Sequence, residues 1–347
     1  MTTSNTVVFR LNRDAIITQA LLKIGALDPE NTGAITANQT TNTANALNLM
    51  IKGWEAEGLQ LWERKYGVIF PQKNQPVYVL GNPAPGGDHA TLSTPLGSGF
   101  IRTTATTVIA AGATSVTVVA TDNAATPFAS VGTPTITMAI SDNIGIQQTD
   151  GTMFWTTIAN VNTNTKLITL AAGPTVGSSA GAYITTYTTK LMRPLRILDG
   201  FTRQLQGNDV PHLLLPREQY NRFGMKTSPG TSIQTYYDQQ ENVGHLYVYP
   251  TTQDVTQQIY IEFQKPIEDF VNSTDDFDLP QEWGECIVWN LAARLIPDYG
   301  CPEIRANQVI KFAELFMKRL DGWDQETGSV YLQPSQWAYQ DMTGGSK

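Results

Sequence analysis

Cysteine, histidine and charge are all scarce in this chain. Among 347 residues there are two cysteines and three histidines, and charged side chains make up 16%, well under the usual quarter or so. Two cysteines cannot by themselves build a disulfide framework or a zinc site. Cys286 falls in a helical pattern and Cys301 just after it, so both read as reduced thiols, which suits folding in a cytoplasm. Nowhere is there an apolar run of about 18 residues, so no segment is expected to span a membrane. The opening MTTSNTVVFRLNRD has no basic stretch followed by an apolar one, and a secretory signal is not expected. With a formal charge of −8, the chain also lacks the clustered Lys and Arg that grip nucleic acid by its phosphates. A surface that DNA passes without sticking is still compatible with this.

Hydrophobic residues at 41% and aromatics at 9% exclude bulk disorder. The length suggests two domains, or one domain carrying a large insertion. Threonine marks where an insertion would lie. Of 44 threonines, 25 fall between residues 91 and 190, where only six charges occur: Arg102, Asp122, Asp142, Asp150, Lys166 and Lys190. Threonine is β-branched and prefers strands. Val116, Val118 and Ala120 alternate with Thr117 and Val119, and Ile136, Met138 and Ile140 alternate with Thr135, Thr137 and Ala139. Further strands are predicted over 152–161, 165–170 and 182–188. The turn signals Asp150-Gly151, Asn162-Thr163-Asn164 and Gly173-Pro174 lie between them. Short strands with close turns read as an all-β barrel or sandwich.

Both chain ends are helical in pattern. Residues 12–26 have Asn12 as N-cap and Ile17, Leu21 and Ile24 on one face; a second helix runs from about Thr36 to Glu57. Thr36 and Gln39 fit a capping box, Ala44, Leu47, Ile51 and Trp54 form an apolar stripe, and Gly58 suits the position after the helix. Pro280 opens a third helix that is expected to stop before Pro297, with Trp283, Ile287, Asn290, Leu291 and Leu295 on a broad face. The fourth spans about 303–321, with Ile304, Phe312, Leu315, Phe316 and Leu320 available for packing. No such stripe can be hidden by its own helix, so the economical solution packs the two terminal pairs together.

The expected fold is therefore α+β and multidomain, with a four-helix core built from both chain ends. Residues 1–65 and 276–322 supply that core, and 66–190 an inserted Thr-rich β domain. Residues 191–275 form a small antiparallel meander with a short helix at 216–224 and strands at 232–238, 245–249 and 257–264. The remaining 323–347 form an extended carboxyl-terminal arm. That arm carries Trp323, Tyr331, Trp337 and Tyr339 amid Gln, Gly and Ser. Such rings are depleted in disordered segments and enriched at binding surfaces, which makes these four a candidate partner interface.

Catalytic signatures are weak. Gly177-Ser178-Ser179-Ala180-Gly181 spells a nucleophile elbow, but it sits between two strand candidates with no helix after it, so a β-turn explains it better. His89, His212 and His245 are far apart and have no metal-ligand spacing. Asp275, Asp276, Asp278, Glu282 and Glu285 gather where the helix behind Pro280 begins, which its dipole favours. No catalytic, metal or cofactor site is expected.

The run IEFQKPIEDFVNSTDDFDLPQEWGECIVWNLAARLIPDYG (261–300) resembles the C-terminal half of tailed-phage head-to-tail adaptor proteins, also called neck, head-completion or stabilisation proteins. A strand, an acidic loop, "DLP-x-E-W" and a helix containing "WNLAARL" carry the likeness. LYVYP (246–250), ALLKIGAL (20–27), ALNLMIKGWEAEGLQLW (46–62) and, as an insertion, 142–161 fit it too. The resemblance implies a virion structural protein without a reaction or cofactor. It would sit in the neck between capsid and tail after assembly in the host cytoplasm. It would form a homo-oligomeric ring, usually of twelve copies, under the portal protein ring, extend the viral DNA channel and receive a tail or nozzle protein. DNA would pass without sequence-specific binding, and the arm, with Trp323, Tyr331, Trp337 and Tyr339, would reach the portal. Leu47, Ile51, Trp54, Trp283, Ile287, Leu291, Phe312 and Phe316 would pack the helical core. Two alternatives are another neck or tail component (tail tube, nozzle or decoration protein) and a glycan-binding tail protein. The latter would need a carboxylate pair or an aromatic platform, for which the β region offers only Asp122, Asp142, Asp150 and Trp155.

Overall fold

The computed structural model describes residues 9–31, 33, 35–57, 63–81, 87–120, 128–130 and 136–323. The chain divides into two compact units, one drawn from residues 1–61 and 270–347 and the other from 62–269. The fold is α+β: among the described residues there are five α-helices, of which the short α3 (Arg217–Asn221) belongs to the second unit, a closed six-strand barrel and two further sheets.

In the first unit, α1 (Arg13–Ile24) starts at Asn12, whose side chain accepts from the Ala15 N–H at 2.9 Å. It ends at Gly25, where φ is +77° and the N–H reaches the carbonyls of Leu21 and Leu22. A side chain there would be strained by the backbone and would also collide with the Arg305 guanidinium. In front of α2 (Ala37–Glu57), Thr36 Oγ1 accepts from the Gln39 N–H at 3.3 Å and Gln39 Oε1 from the Thr36 N–H at 2.9 Å, a reciprocal capping box. A 3₁₀ turn, Gln281–Trp283, leads into α4 (Gly284–Tyr299), and α5 (Glu303–Trp323) follows. Each of α1, α2 and α5 touches α4.

Polar bonds tie the two chain ends of this unit together. Asn48 donates to the Phe270 carbonyl at 3.1 Å and accepts from its N–H at 3.0 Å. The Arg13 N–H donates to the Asp275 carbonyl at 2.9 Å. Leu47, Ile51, Trp54, Trp283, Ile287 and Leu291 are buried, with Trp54 and Trp283 in ring contact at 5.9 Å.

The second unit packs two sheets face to face. One has the order β11 (Asp209–Pro211), β10 (Arg196–Arg203), β15 (Gln258–Gln264), β1 (Arg64–Ile69), β3 (Ala90–Ser93). The other runs β12 (Leu213–Leu214), β13 (Gln234–Gln239), β14 (Gly244–Tyr249), β2 (Val77–Leu80). Ile69, Ile259, Ile261 and Phe263 from the first meet Tyr78, Leu80, Leu246 and Val248 from the second in one apolar core. On the far side of the first sheet, Val68 and Tyr260 pack with Phe100 and Tyr187 at the base of the barrel.

The barrel closes in the order β4 (Ile101–Ala105), β5 (Ser115–Ala120), β8 (Leu167–Leu170), β7 (Met153–Asn162), β6 (Asn143–Gln147), β9 (Tyr183–Tyr187), with β9 pairing back onto β4. Inward residues fill it, among them Ile101, Val116, Val118, Ile144, Ile146, Ile158, Ile168 and Ile184. A small barrel is a packed core rather than a pore, and closure removes its sheet edges. Gly145 lies opposite Trp155 in the ladder, and any β-carbon on it would come within 2.7 Å of the indole ring.

Several expectations are corrected. The strands at 234–239, 244–249 and 258–264 do not form a three-strand meander: β14 has β13 and β2 as neighbours, while β15 lies between β10 and β1. The reason is its burial: Ile259, Ile261 and Phe263 are enclosed on one side of β15 and Gln258, Tyr260 and Gln264 on the other, as suits a central strand. Residues 64–93, placed by sequence largely with the Thr-rich region, supply strands to these two sheets, and the barrel's strands span 101–187. The alternation at 136–140 yields no strand, only a bridge from Thr137 to Ala129. Asp142 takes the Ala139 N–H with its carboxylate and turns the chain there. Pro297 lies inside α4 instead of ending it. The hydrogen bond it forfeits belongs to the last turn, and Gly300 in the left-handed conformation closes the helix. Phe312 is 43% exposed, as Ala306, Val309, Ala313 and Leu320 form the buried stripe of α5, and Phe316 is half-buried. Gly58, Tyr331, Trp337 and Tyr339 lie outside the described residues; Trp323 is the last residue of α5.

Candidate functional site: the groove beside Trp289

The serines and histidines singled out in the sequence lie in turns, strands and ring contacts of the second unit. Ser178 exchanges backbone hydrogen bonds with Ile109, and Ser179 begins a turn closed by the Ala182 N–H at 3.1 Å, after which β9 follows. His89 stacks on Trp155 at 3.8 Å and its Nδ1 is 2.7 Å from the Tyr187 hydroxyl. Burial, helped by the Lys190 charge, pushes its pKa down to about 3. His212 Nε2 lies 2.7 Å from the Thr202 hydroxyl, and burial lowers its pKa to about 4. His245 is on β14, with its ring 6.5 Å from that of Tyr247. Among the described residues, no three His, Cys, Asp or Glu side chains gather in a way that could hold a metal ion.

The acidic stretch is likewise absorbed locally. The Asp275 carboxylate accepts from the N–H groups of Val271 and Asn272 at 2.9 and 2.6 Å, which hold its pKa below the usual range and fix the loop before α4. Asp276 lies in a bridge to Asn12. Of the carboxylates considered for glycan chemistry, Asp142 and Asp150 shape turns through Ala139 and Thr152, while Asp122 lies outside the described residues. Trp155 is enclosed by Phe70, His89 and Tyr187 and offers no open platform.

An open site lies instead on the helical unit. A groove of about 500 Å³ runs between the segment at Phe9 and Leu11, the α1 residues Gln19 and Lys23, and the start of α4. Phe277 and Val288 form a buried floor, and Trp289 forms one side. Lys23 Nζ sits 4.7 Å over the Trp289 ring, and the indole N–H points to Glu285 Oε1 at 3.4 Å. Behind Trp289 the aromatic surface continues onto α5, with Phe312 at 4.8 Å, Phe316 at 6.5 Å and Arg319 over the Phe316 ring at 5.6 Å. Glu282, Glu285 and Lys23 give the lining charges of both signs.

Such an arrangement can hold a side chain or a short segment, with rings for apolar contact and charges of two signs to set direction. Sequence reasoning missed Trp289 because it lies off the apolar face of Trp283, Ile287 and Leu291. The available signal was the pairing of a Trp with Glu285 one helical turn earlier, on a face with no other reason to hold an indole. No protein-family model matches the chain, and no curated protein matches it in sequence.

Proposed function

We propose that this protein is a structural component of a tailed-phage virion, a head-to-tail adaptor that forms a ring under the portal, extends the DNA channel and receives the tail. In this reading α1, α2, α4 and α5 act as one four-helix core that makes the ring contacts, and the barrel is an accessory elaboration. The aromatic residues Trp323, Tyr331, Trp337 and Tyr339 at the carboxyl end anchor to the portal. The reading assigns no reaction and no cofactor, and it places the protein in the neck of the virion.

The observation that carries the proposal is how the run resembling adaptors falls on the fold. Residues 261–300 begin in β15, pass through the loop held by Asp275 and finish as α4, so strand, acidic loop and helix follow in the order of the resemblance. Support also comes from an excursion of roughly two hundred residues that leaves and rejoins a helical unit made from both chain ends. A net charge of −8 suits a channel past which DNA must slide.

Co-sedimentation with purified portal rings tests this. The full chain is expected to pellet with portal, and a chain ending at residue 322 to remain in the supernatant with a nearly unchanged melt. Failure of the full chain to bind portal would overturn the adaptor reading in favour of another neck or tail component. Equal binding by both forms would remove the anchor role from the carboxyl-terminal aromatics alone.

A further inference from the structure

We propose that the exposed stripe of α5 pairs with α5 of a second copy of this chain, antiparallel and about a two-fold axis beside Leu315 and Phe316. The inference does not depend on the adaptor reading. A two-fold pair closes on itself, whereas a ring is built from head-to-tail contacts. The pair therefore belongs to the chain off the portal, and a ring that uses α5 forms only after it parts.

The first argument is that α5 is apolar on two sides. Ala306, Val309, Ala313 and Leu320 form its buried stripe, and Asn290 Nδ2 reaches the Ala313 carbonyl at 3.4 Å, so that side belongs to α4. Phe312, Leu315 and Arg319 follow one another at helical spacing and make a second stripe. All three are exposed, and Phe316 is half-buried between the two stripes. Trp289 backs the second stripe through its ring contacts with Phe312 and Phe316. One apolar stripe is enough to hold a helix in its unit, so the second is left for a partner.

Charge supplies the second argument, and it selects the partner. Glu314 and Lys318 are exposed one helical turn apart along the flank of that stripe. Neither enters an ion pair among the described residues. A second α5 laid antiparallel sets like flanks side by side, so Glu314 of each copy faces Lys318 of the other. The same axis brings Phe312 of each copy to Arg319 of the other, whose guanidinium already lies over the Phe316 ring at 5.6 Å, and Leu315 to Leu315. Stripe and flank thus ask for one register, in which residues equally far from the axis meet, as an isologous interface requires. A parallel second helix would set Lys318 against Lys318 and Arg319 against Arg319 instead. A helix pair overlapping over about 25 Å lies at the small end of protein interfaces, so pairing is expected in the micromolar range.

Sedimentation equilibrium of the full chain tests the proposal, over protein concentrations from about 1 to about 300 μM. The mean mass is expected to rise from that of one chain to that of two and to stop there. Glu314→Lys and Lys318→Glu should each hold the mass at one chain, because each sets like charges against each other across the axis. Both side chains are exposed, so the melt of either variant at the lowest concentration should be unchanged. An equal mixture of the two variants should pair again, since the lysines of one copy then meet the glutamates of the other. A mass of one chain throughout in the unaltered protein would overturn the proposal. So would a mass that grows beyond two chains, which marks an open contact. Pairing that survives either reversal, or fails to return in the mixture, would place the contact elsewhere and equally overturn it.

Discussion

In the barrel every strand has two neighbours, and Ile144, Ile146, Ile168 and Ile184 are fully enclosed. On the helical unit, α5 leaves Phe312 and Leu315 at 43% and 41% exposure, and Trp289 stands half in solvent beside a groove. The two regions face different constraints. A sheet closed on itself satisfies its backbone and fills its interior, and six strands leave no room for a ligand. A helix satisfies its own backbone whatever covers its sides, so its apolar side chains can be left for a partner. An open aromatic surface is therefore cheap to maintain on helices, and the proposal above assigns binding to the helical unit.

The strongest way to break this contrast is to unsettle the helical core from within. Trp283 is 1% exposed and packs on Trp54, so Trp283→Ala should cost about 3–5 kcal/mol. A thermal melt followed by circular dichroism should show a large fall in the helical transition. An unchanged melt would mean that this face does not hold the unit together.

Acid should act on the other region. His89 and His212 both belong to the β unit and are kept neutral in the fold, with pKa values lowered from 6.5 to about 3 and about 4. Between those values and 6.5 the unfolded chain binds more protons than the folded one. The stabilisation is thus complete above 6.5 and is lost as pH falls toward the folded values. By pH 5 the loss should be roughly 1–2 kcal/mol per histidine. Denaturant melts across this range should weaken chiefly in the β signal, and His212→Gln should flatten the slope. A pH-independent midpoint would contradict the buried, neutral imidazoles.

The smallest effect on stability is expected at the exposed aromatic surface. Phe312→Ser should change the melt by about 0.5–1.5 kcal/mol, through the lost ring contact with Trp289, because its ring is 43% exposed and the buried stripe of α5 passes through Ala313 instead. A loss of several kcal/mol would move Phe312 into the core and erase the contrast drawn above.

Local rules made much of this fold legible, and long-range pairing did not. Asn12 and the Thr36–Gln39 box were readable because a cap is a contact over three residues. Strands such as Met153–Asn162 and Gln258–Gln264 were readable from alternation and flanking turns. Their partners were not: β15 pairs with β1 about two hundred residues earlier, and nothing local distinguishes that from the hairpin with β14 that proximity suggested. Arg196–Arg203 was missed because Gly200 and two polar residues interrupt its alternation. Phe312 departs from the expected core because an aromatic on a helix does not say which face is covered, and the buried stripe of α5 holds the small residues Ala306 and Ala313. The groove was invisible for the same reason, since it is made by Phe9, Lys23 and Trp289, which only the fold brings together.

The central claim is that binding belongs to the helical unit and not to the barrel. Hydrogen–deuterium exchange of the full chain, free and with purified portal rings, tests it most directly. The account predicts slowed exchange on addition of portal within 9–57 and 270–323, with the barrel strands at 101–187 unchanged. Slowing confined to 101–187 would contradict it.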